Sequence, residues 1–214
     1  MDVRQALLHR RARHRFDPDR PLDDGLLRRL VARARLAPTS FNMQNVHWVV
    51  VTDPEVRRAL WEASWRQEQV GTAAAVVVLA GDLTAHRRTD RFLRHAPEAA
   101  RAKLHDMIQG IYEGKDRLLR DEACRSVGLA GMSLMLAAEE EGLGSCPMIG
   151  FDPEAVSESL GLDEDHPPLL MVTLGHPSDA PRPRLGFLDW EECVSRDRFG
   201  VPAWTGPFVP EEEV

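Results

Sequence analysis

The feature that most constrains this chain is an uncharged stretch inside a helical pattern that is otherwise rich in charge. Residues 121–141 have helical spacing, and residues 127–138 within them carry no charge on any side. A helix that is apolar all round is normally buried. We therefore predict that residues 127–138 are surrounded almost completely, either as the axis of the core or as an interface between subunits.

Three short apolar runs predict strands. Residues 49–52, 73–80 and 168–174 are each short, dominated by apolar side chains and bounded by charged or turn-forming residues. Such runs are typical of strands with both faces covered. The sequence therefore predicts three buried strands that are widely separated along the chain.

Helices are predicted between these strands. Asp53 and Pro54 form a helix start, because an aspartate caps the first turn and proline is tolerated at its first position. This helix is expected to run to about residue 70. Residues 82–120 are charged and loosely periodic, which predicts peripheral helices that cover the domain. Residues 146–151 contain small residues and a proline, which predicts a tight loop.

Composition limits the possible functions. The chain has 214 residues and a net charge of -7, which argues against a general nucleic-acid binder. Its three cysteines, Cys124, Cys146 and Cys193, are odd in number and widely spaced, which fits a reducing cytoplasm better than a disulfide framework. The longest wholly apolar run, residues 73–80, is far too short to cross a bilayer, so no membrane association is expected.

Two arginine-rich segments lie near opposite ends of the chain. Residues 10–16 contain four arginines and His14, and a second pair of guanidinium groups occurs at Arg182 and Arg184. Guanidinium groups pair with phosphate through charge-assisted, often bidentate hydrogen bonds. The segments therefore indicate a phosphate site, with a solvated basic surface as the alternative.

A polar but uncharged loop lies between a helical pattern and the first predicted strand. Pro38 disfavours helix at the preceding residue, and the next residues bring hydroxyl and amide groups at Thr39, Ser40, Asn42 and Gln44. Such groups suit the edge of a flat heterocycle better than a metal ion. The alternative is an ordinary turn between a helix and a strand, since these residue types are common in turns.

Several kinds of site are not indicated by any pattern. The chain has no phosphate-binding loop, no dinucleotide fingerprint, no histidine pair at metal-ligand spacing and no nucleophile elbow. Cys146 beside Pro147 is a possible nucleophile, but no base accompanies it, and a buried structural thiol is the alternative. We therefore expect neither a metal nor a catalytic side chain.

The last part of the chain is irregular but aromatic. Phe187, Trp190, Phe199, Trp204 and Phe208 are spread over a segment rich in proline and glycine. So short a segment cannot build a core of its own. We therefore predict that these side chains pack on the domain or on a second subunit.

Four segments taken together resemble the FMN-dependent nitroreductase family, and they occur in its order: residues 10–16, 37–44, 142–152 and 182–184. The similarity extends over residues 3–199 and is closest to the bacterial branch of NADH oxidase-like and quinone- or nitro-reducing members. It implies an α+β fold, with a mixed sheet between helices in an intertwined homodimer. It also implies an FMN-binding domain of residues 1–177 and, within the same domain, an arm of residues 178–214 that wraps the partner subunit.

The resemblance further assigns the residues that hold FMN. Contacts to the phosphate or ribityl chain fall on Arg10, Arg11, Ala12, His14, Arg182 and Arg184. The rim of the flavin falls on Pro38, Thr39, Ser40 and Asn42, with Asn42 reaching in from the second chain, and on Gln67 and Gln69. The isoalloxazine ring falls along Pro147, Met148, Ile149 and Gly150. Phe41 and Tyr112 are candidates for substrate contacts and equally for core residues.

The activity implied is electron transfer from NAD(P)H through FMN to a small electron-poor acceptor such as a nitroaromatic, a quinone or a flavin. The chemistry belongs to the cofactor, so the protein needs no acid or base of its own. The alternative is an FMN-binding dimer that stores or delivers flavin, or senses redox state, with little turnover.

Overall fold

A four-stranded sheet forms the centre of the molecule, for which a computed structural model describes residues 2–210. Its strands are β1 (Val46–Val51), β2 (Ala75–Gly81), β3 (Gly144–Met148) and β4 (Pro168–Gly175). They lie in the order β1-β2-β4-β3, and each strand runs antiparallel to its neighbours. The parallel component found among the described residues is a bridge between Ala12 and Ser145 at the β3 edge.

Nine α-helices surround this sheet in the described part of the chain. They are α1 (Val3–His9), α2 (Asp24–Ala34), α3 (Pro54–Ala63), α4 (Glu68–Gly71), α5 (Thr89–Phe92), α6 (Glu98–Tyr112), α7 (Asp116–Glu140), α8 (Pro153–Leu160) and α9 (Trp190–Cys193). The N-caps of α2, α3 and α8 are Asp23, Asp53 and Asp152, whose carboxylates accept backbone N–H groups of the first turn. No helix within residues 2–210 is long and apolar enough to cross a membrane.

The alternation of side chains along the strands divides the core into two layers. Val77 and Val172 face one side, where they pack with α2 and α7. Val76 and Met171 face the other side, where they pack with residues of α3 and α8. Successive side chains of a strand point to opposite faces, so both faces of the sheet are covered by helices. The α+β class with a sheet between helices is therefore confirmed.

The strand β3 was not expected, because residues 146–151 were predicted to be a loop. Gly144, Ser145 and Pro147 have little strand propensity. Strand β3 nevertheless pairs with β4 over its whole length, with Pro147 opposite Val172. It lies at one end of the four-strand order, where a proline that cannot donate to the ladder is tolerated.

The helix predicted over residues 53–70 is broken. Helix α3 ends at Ala63, and Trp65 and Arg66 then adopt left-handed backbone angles with φ of 52° and 58°. The chain resumes helical geometry in α4 only at Glu68. This turn positions Gln67 and Gln69 beside β3.

Helix α7 is the core axis that its sequence predicts, but it is buried on one side only within a single chain. Leu134 and Ala138 are fully buried against the sheet. On the opposite side, Cys124 and Gly128 are exposed, and Leu129 keeps 49% of its surface accessible. The prediction of nearly complete burial is therefore wrong for one chain taken alone.

The segment between β2 and α7 is helical, as predicted, and has a small core of its own. Ile108 and Tyr112 of α6 are buried there together with Met43 from the polar loop and Leu93 after α5. This cluster joins the loop of residues 39–44 to α6.

The aromatic side chains of the last segment pack chiefly on one another. The ring of Trp190 lies 5.1 Å from that of Trp204 and 5.0 Å from that of Phe208, and Phe187 lies 4.8 Å from Phe208. Phe199 is fully exposed. Four of the five rings therefore contact one another within one chain, while Phe187 and Trp204 keep about half of their surface exposed.

Candidate functional site

The basic segment of residues 10–16 lies along the β3 edge of the sheet. The backbone N–H of Arg13 donates to the carbonyl of Ser145 over 3.0 Å. Phe16 is 2% exposed, and its ring lies so close to Gly175 that a Cβ there would be 2.9 Å from two Phe16 carbons. The sheet therefore fixes the path of this segment.

The second arginine pair returns to the same place. The Nη2 atom of Arg184 donates to the carbonyl of Leu7 over 2.9 Å and contacts those of Leu8 and Arg10 at 3.4 Å. Arg11 also donates to the carbonyls of Leu8 and Arg10. Both guanidinium groups thus bond the carbonyls at the C-terminal end of α1, a favourable position for cations. The side chain of Arg184 thus reaches the backbone carbonyl of Arg10, and both Arg182 and Arg184 are exposed.

Arg10 carries the feature that best fits a phosphate. Its Nε atom is buried and has no hydrogen-bond partner among the described residues. An unpaired buried donor is costly, and a charged one more so. An anionic oxygen would satisfy this donor through a charge-assisted bond. The residues present therefore fit the phosphate end of FMN; Ala12 and His14 are half-buried beside Arg10.

The two glutamines join the turn before α4 to the segment after β3. Gln67 donates from Nε2 to the carbonyl of Gly150 over 2.6 Å, and Gln69 donates to Oε1 of Gln67 over 2.8 Å. Gln69 also lies 3.9 Å from the sulfur of Met148. Ile149 between them is 77% exposed. Residues 147–150 therefore form a ridge that the two glutamines hold in place. Pro147, at its start, is half-buried.

The thiol next to this ridge is not set up as a nucleophile. Cys146 is 4% exposed, and burial raises the pKa of its thiol, although the positive charge of Arg10 opposes that rise. A buried thiol with a raised pKa is mostly protonated near neutral pH and therefore unreactive. The structural alternative for Cys146 is the one that fits.

The polar loop has an unusual backbone. Phe41, Asn42 and Gln44 all have left-handed angles, with φ of 51°, 56° and 50°. Residues other than glycine rarely adopt this region, and clusters of such residues occur at functional sites. The hydroxyl of Thr39 accepts the backbone N–H of Gln44 over 2.9 Å, which closes the loop.

Tyr112 of α6 contacts this loop through a hydrogen bond and through its ring. It is 3% exposed, and its hydroxyl donates to Oγ of Ser40 over 2.8 Å. Its ring meets Phe41 edge to face at 6.5 Å. Pro38 and Asn42 are exposed on the loop.

A cavity of about 730 Å³ lies against the loop. Its walls include Thr39, Met43 and Gln44 together with residues of α2, β1 and α5. Neither Arg10 nor the ridge of residues 147–150 lines it. Of the predicted flavin contacts, Thr39 on the loop lines this cavity, and the residues around Arg10 and β3 do not.

His86 is a polar residue of this region that the sequence did not single out. Its side chain is fully buried, and its Nε2 atom lies 3.0 Å from a carboxylate oxygen of Glu113. Its Nδ1 atom is buried and has no hydrogen-bond partner in the described part of the chain. A lone histidine in a charged segment gives no pattern from which this position could be found.

Comparison with known proteins settles the family. The model of the nitroreductase family matches residues 7–176, which is most of the chain. The chain belongs to the nitroreductase family. The recognition of this family from four short segments is thereby confirmed, and with it the expectation of an oxidoreductase.

Individual nitroreductase relatives agree over nearly the whole length. Protein DrgA of Synechocystis sp. is 39% identical over 86% of this chain and 89% of its own. A protein of Thermus thermophilus named NADH dehydrogenase is 34% identical, with coverage of 86% and 90%. Among solved structures, a protein of Exiguobacterium sibiricum in complex with FMN has a TM-score of 0.80 at 27% identity, with coverage of 88% and 94%.

Proposed function

We propose that this member of the nitroreductase family transfers electrons from NAD(P)H to a small electron-poor acceptor, a nitroaromatic, a quinone or a flavin, with FMN as its cofactor. The observation that carries the proposal is the buried Nε of Arg10, which has no hydrogen-bond partner within residues 2–210, beside the carbonyl of Arg10 that Arg184 contacts. The names of the relatives support it, since one is an NADH dehydrogenase and the Exiguobacterium sibiricum protein holds FMN.

The FMN phosphate is assigned to the end of α1. Arg10 offers its unpaired Nε, and His14 and Ala12 lie in the same segment. Arg11 and Arg184 bond α1 carbonyls at the same end of the helix, so both add positive charge beside the proposed phosphate position. Arg182, two residues before Arg184, is placed at the outer side of the same site.

The flavin ring is assigned to the ridge after β3. Pro147, Met148, Ile149 and Gly150 offer backbone and apolar contacts along it, and Gln67 and Gln69 offer amide groups at its rim. When bound, FMN supplies the hydride chemistry itself. The side chains of this ridge would orient the ring.

The remaining contacts are assigned to a second copy of the chain. Pro38, Thr39, Ser40 and Asn42 lie on the loop, whose polar bonds run to Gln44 and Tyr112 and not to the group around Arg10. An intertwined homodimer, with the arm of residues 178–214 wrapped around the partner, brings the loop of one subunit to the ridge of the other.

The three cysteines are free thiols, which supports a place in the reducing cytoplasm.

The purified protein tests this function directly. We expect a yellow protein with a flavin spectrum. In the absence of oxygen, NADH or NADPH should bleach this spectrum, and menadione or nitrofurazone should restore it. A colourless protein that does not bind added FMN would contradict the proposal. Bound FMN with negligible turnover on these acceptors would instead favour flavin storage or delivery.

A further inference from the structure

We propose that Tyr112 is a positioning residue that directs the hydroxyl of Ser40 toward the flavin. Tyr112 is the single tyrosine of the chain, and its hydroxyl lies 2.8 Å from Oγ of Ser40. This inference rests on the proposed function, because it takes the loop of Ser40 to line the flavin rim. It gives Tyr112 a role different from substrate contact, for which a 3% exposed side chain is poorly placed.

The position of the Tyr112 ring is fixed from both sides. Phe41 meets it edge to face at 6.5 Å, and the ring of His86 lies at 6.4 Å on a tilted plane. His86 is held in turn by Glu113 at 3.0 Å and by Gln109, which donates to its carbonyl over 2.7 Å. A ring confined in this way presents its hydroxyl in one direction.

The two hydroxyl hydrogens of this pair determine which hydrogen bonds Ser40 can form. Of the two hydroxyls, the more acidic phenol of Tyr112 is assigned as the donor and Oγ of Ser40 as the acceptor. The hydroxyl of Ser40 therefore accepts from Tyr112 and keeps its own hydrogen for another acceptor. A hydroxyl that accepts one bond becomes a better donor in the next. The left-handed backbone of Phe41 and Asn42 limits where that donor points.

The acceptor of this bond is assigned to the flavin rim. Flavin ring oxygens and nitrogens accept hydrogen bonds, and reduction increases the negative charge on them. A directed donor therefore strengthens FMN binding and favours the reduced cofactor more than the oxidised one. The pair Tyr112–Ser40 thus acts on both the affinity and the reduction potential of bound FMN.

The test replaces Tyr112 by phenylalanine, which keeps the ring contacts and removes only the hydroxyl. We expect FMN to bind about 2- to 12-fold more weakly, the effect of one neutral hydrogen bond, and its midpoint potential to become more negative. Ser40→Ala should give the same two changes, and the double variant should add nothing to either. Ser157→Ala on α8, where the hydroxyl bonds its own helix over 2.8 Å, is the matched control and should change neither.

The outcomes separate this inference from the function on which it rests. If the unaltered protein binds no FMN, the proposed function is wrong. If it binds FMN but Ser40→Ala leaves affinity and potential unchanged, the positioning role is overturned, whatever Tyr112→Phe does to folding. Additive effects of the two variants also overturn it, because they would show that the two hydroxyls act separately.

Discussion

The side chain of Arg10 contains a buried, positively charged group that bears on both ligand binding and stability. Its Nε is enclosed without a hydrogen-bond partner among the described residues, although the net charge of the chain is -7. Leaving such a donor unpaired costs about 1–3 kcal/mol, and more for a charged group. The folded protein therefore carries an unfavourable charge that an anionic ligand relieves, so binding and stability are coupled at this position.

At the residue scale, we predict that Arg10→Met separates FMN binding from stability. The apolar chain keeps most of the volume and removes the unpaired donor, so the unfolding temperature without cofactor should stay the same or rise. FMN affinity should fall by on the order of 1.5–3 kcal/mol, the value of one charge-assisted bond. Flavin fluorescence titration and thermal unfolding with and without FMN measure the two effects.

Arg15→Met is the matched control for this variant. Arg15 lies in the same segment, but its side chain is largely exposed and pairs with Glu68. Exposed ion pairs contribute about 0–1 kcal/mol, so this change should leave FMN affinity as it is. An equal loss of affinity in both variants would show that the charge of the whole segment acts, and not the buried nitrogen of Arg10.

At the scale of elements, the basic segment is positioned by its packing on the end of β4. Phe16 covers Gly175 so closely that three of its carbons lie within 3.0 Å of the place where a Cβ would be. Only a residue without a side chain allows this approach. The arginines of residues 10–15 are therefore held by the contact between Phe16 and a glycine at the end of β4.

We predict that Gly175→Ala destabilises the protein by about 1–3 kcal/mol, as overpacking does in a filled core. Since Phe16 must move, FMN affinity should fall together with the free energy of unfolding. Urea unfolding and flavin titration of the same preparation measure both quantities.

Gly110→Ala provides the comparison. Gly110 lies inside α6 with no atom within 4 Å of an added Cβ. Alanine is favoured over glycine in helices by about 0.8–1.0 kcal/mol, so this variant should be as stable as the parent or more stable. If Gly175→Ala proved equally harmless, the close contact with Phe16 would not be what holds the segment.

At the scale of the whole molecule, one chain leaves part of its central helix exposed. The loop of Ser40 is bonded to α6, the basic segment lies along β3, and α7 exposes Cys124, Gly128 and Leu129 on the side away from the sheet. Apolar surface on a central helix is typical of subunit interfaces. A homodimer that buries this side of α7 accounts for this exposure.

We predict that Leu129→Glu disrupts the dimer and releases FMN together. A charge buried in an apolar interface is strongly unfavourable, and half of the proposed cofactor contacts would be lost with the partner. Light scattering should show the 24.0 kDa chain as a monomer, where the parent has twice that mass. Leu129→Met keeps the apolar surface and should remain dimeric and yellow. A Leu129→Glu dimer that retains FMN would place the interface elsewhere.

Local patterns were sufficient for the elements whose residues face a uniform environment. The apolar runs predicted strands β1, β2 and β4, and Asp53 predicted the start of α3, because a cap depends on neighbouring residues alone. Strand β3 was not predicted, because its small residues have no strand preference and form a strand only by pairing with β4. The break after Ala63 escaped because two ordinary residues, Trp65 and Arg66, adopt left-handed angles there.

The sequence by itself determined the family, the α+β class and the identity of the basic and polar segments, because these depend on residue types and their order. Only the tertiary structure decided that Arg184 returns to Arg10, that Arg10 hides an unpaired nitrogen, and that Tyr112 binds Ser40. These contacts join residues far apart in the chain. Their energies come from burial and from donor geometry, which no local spacing of residues encodes.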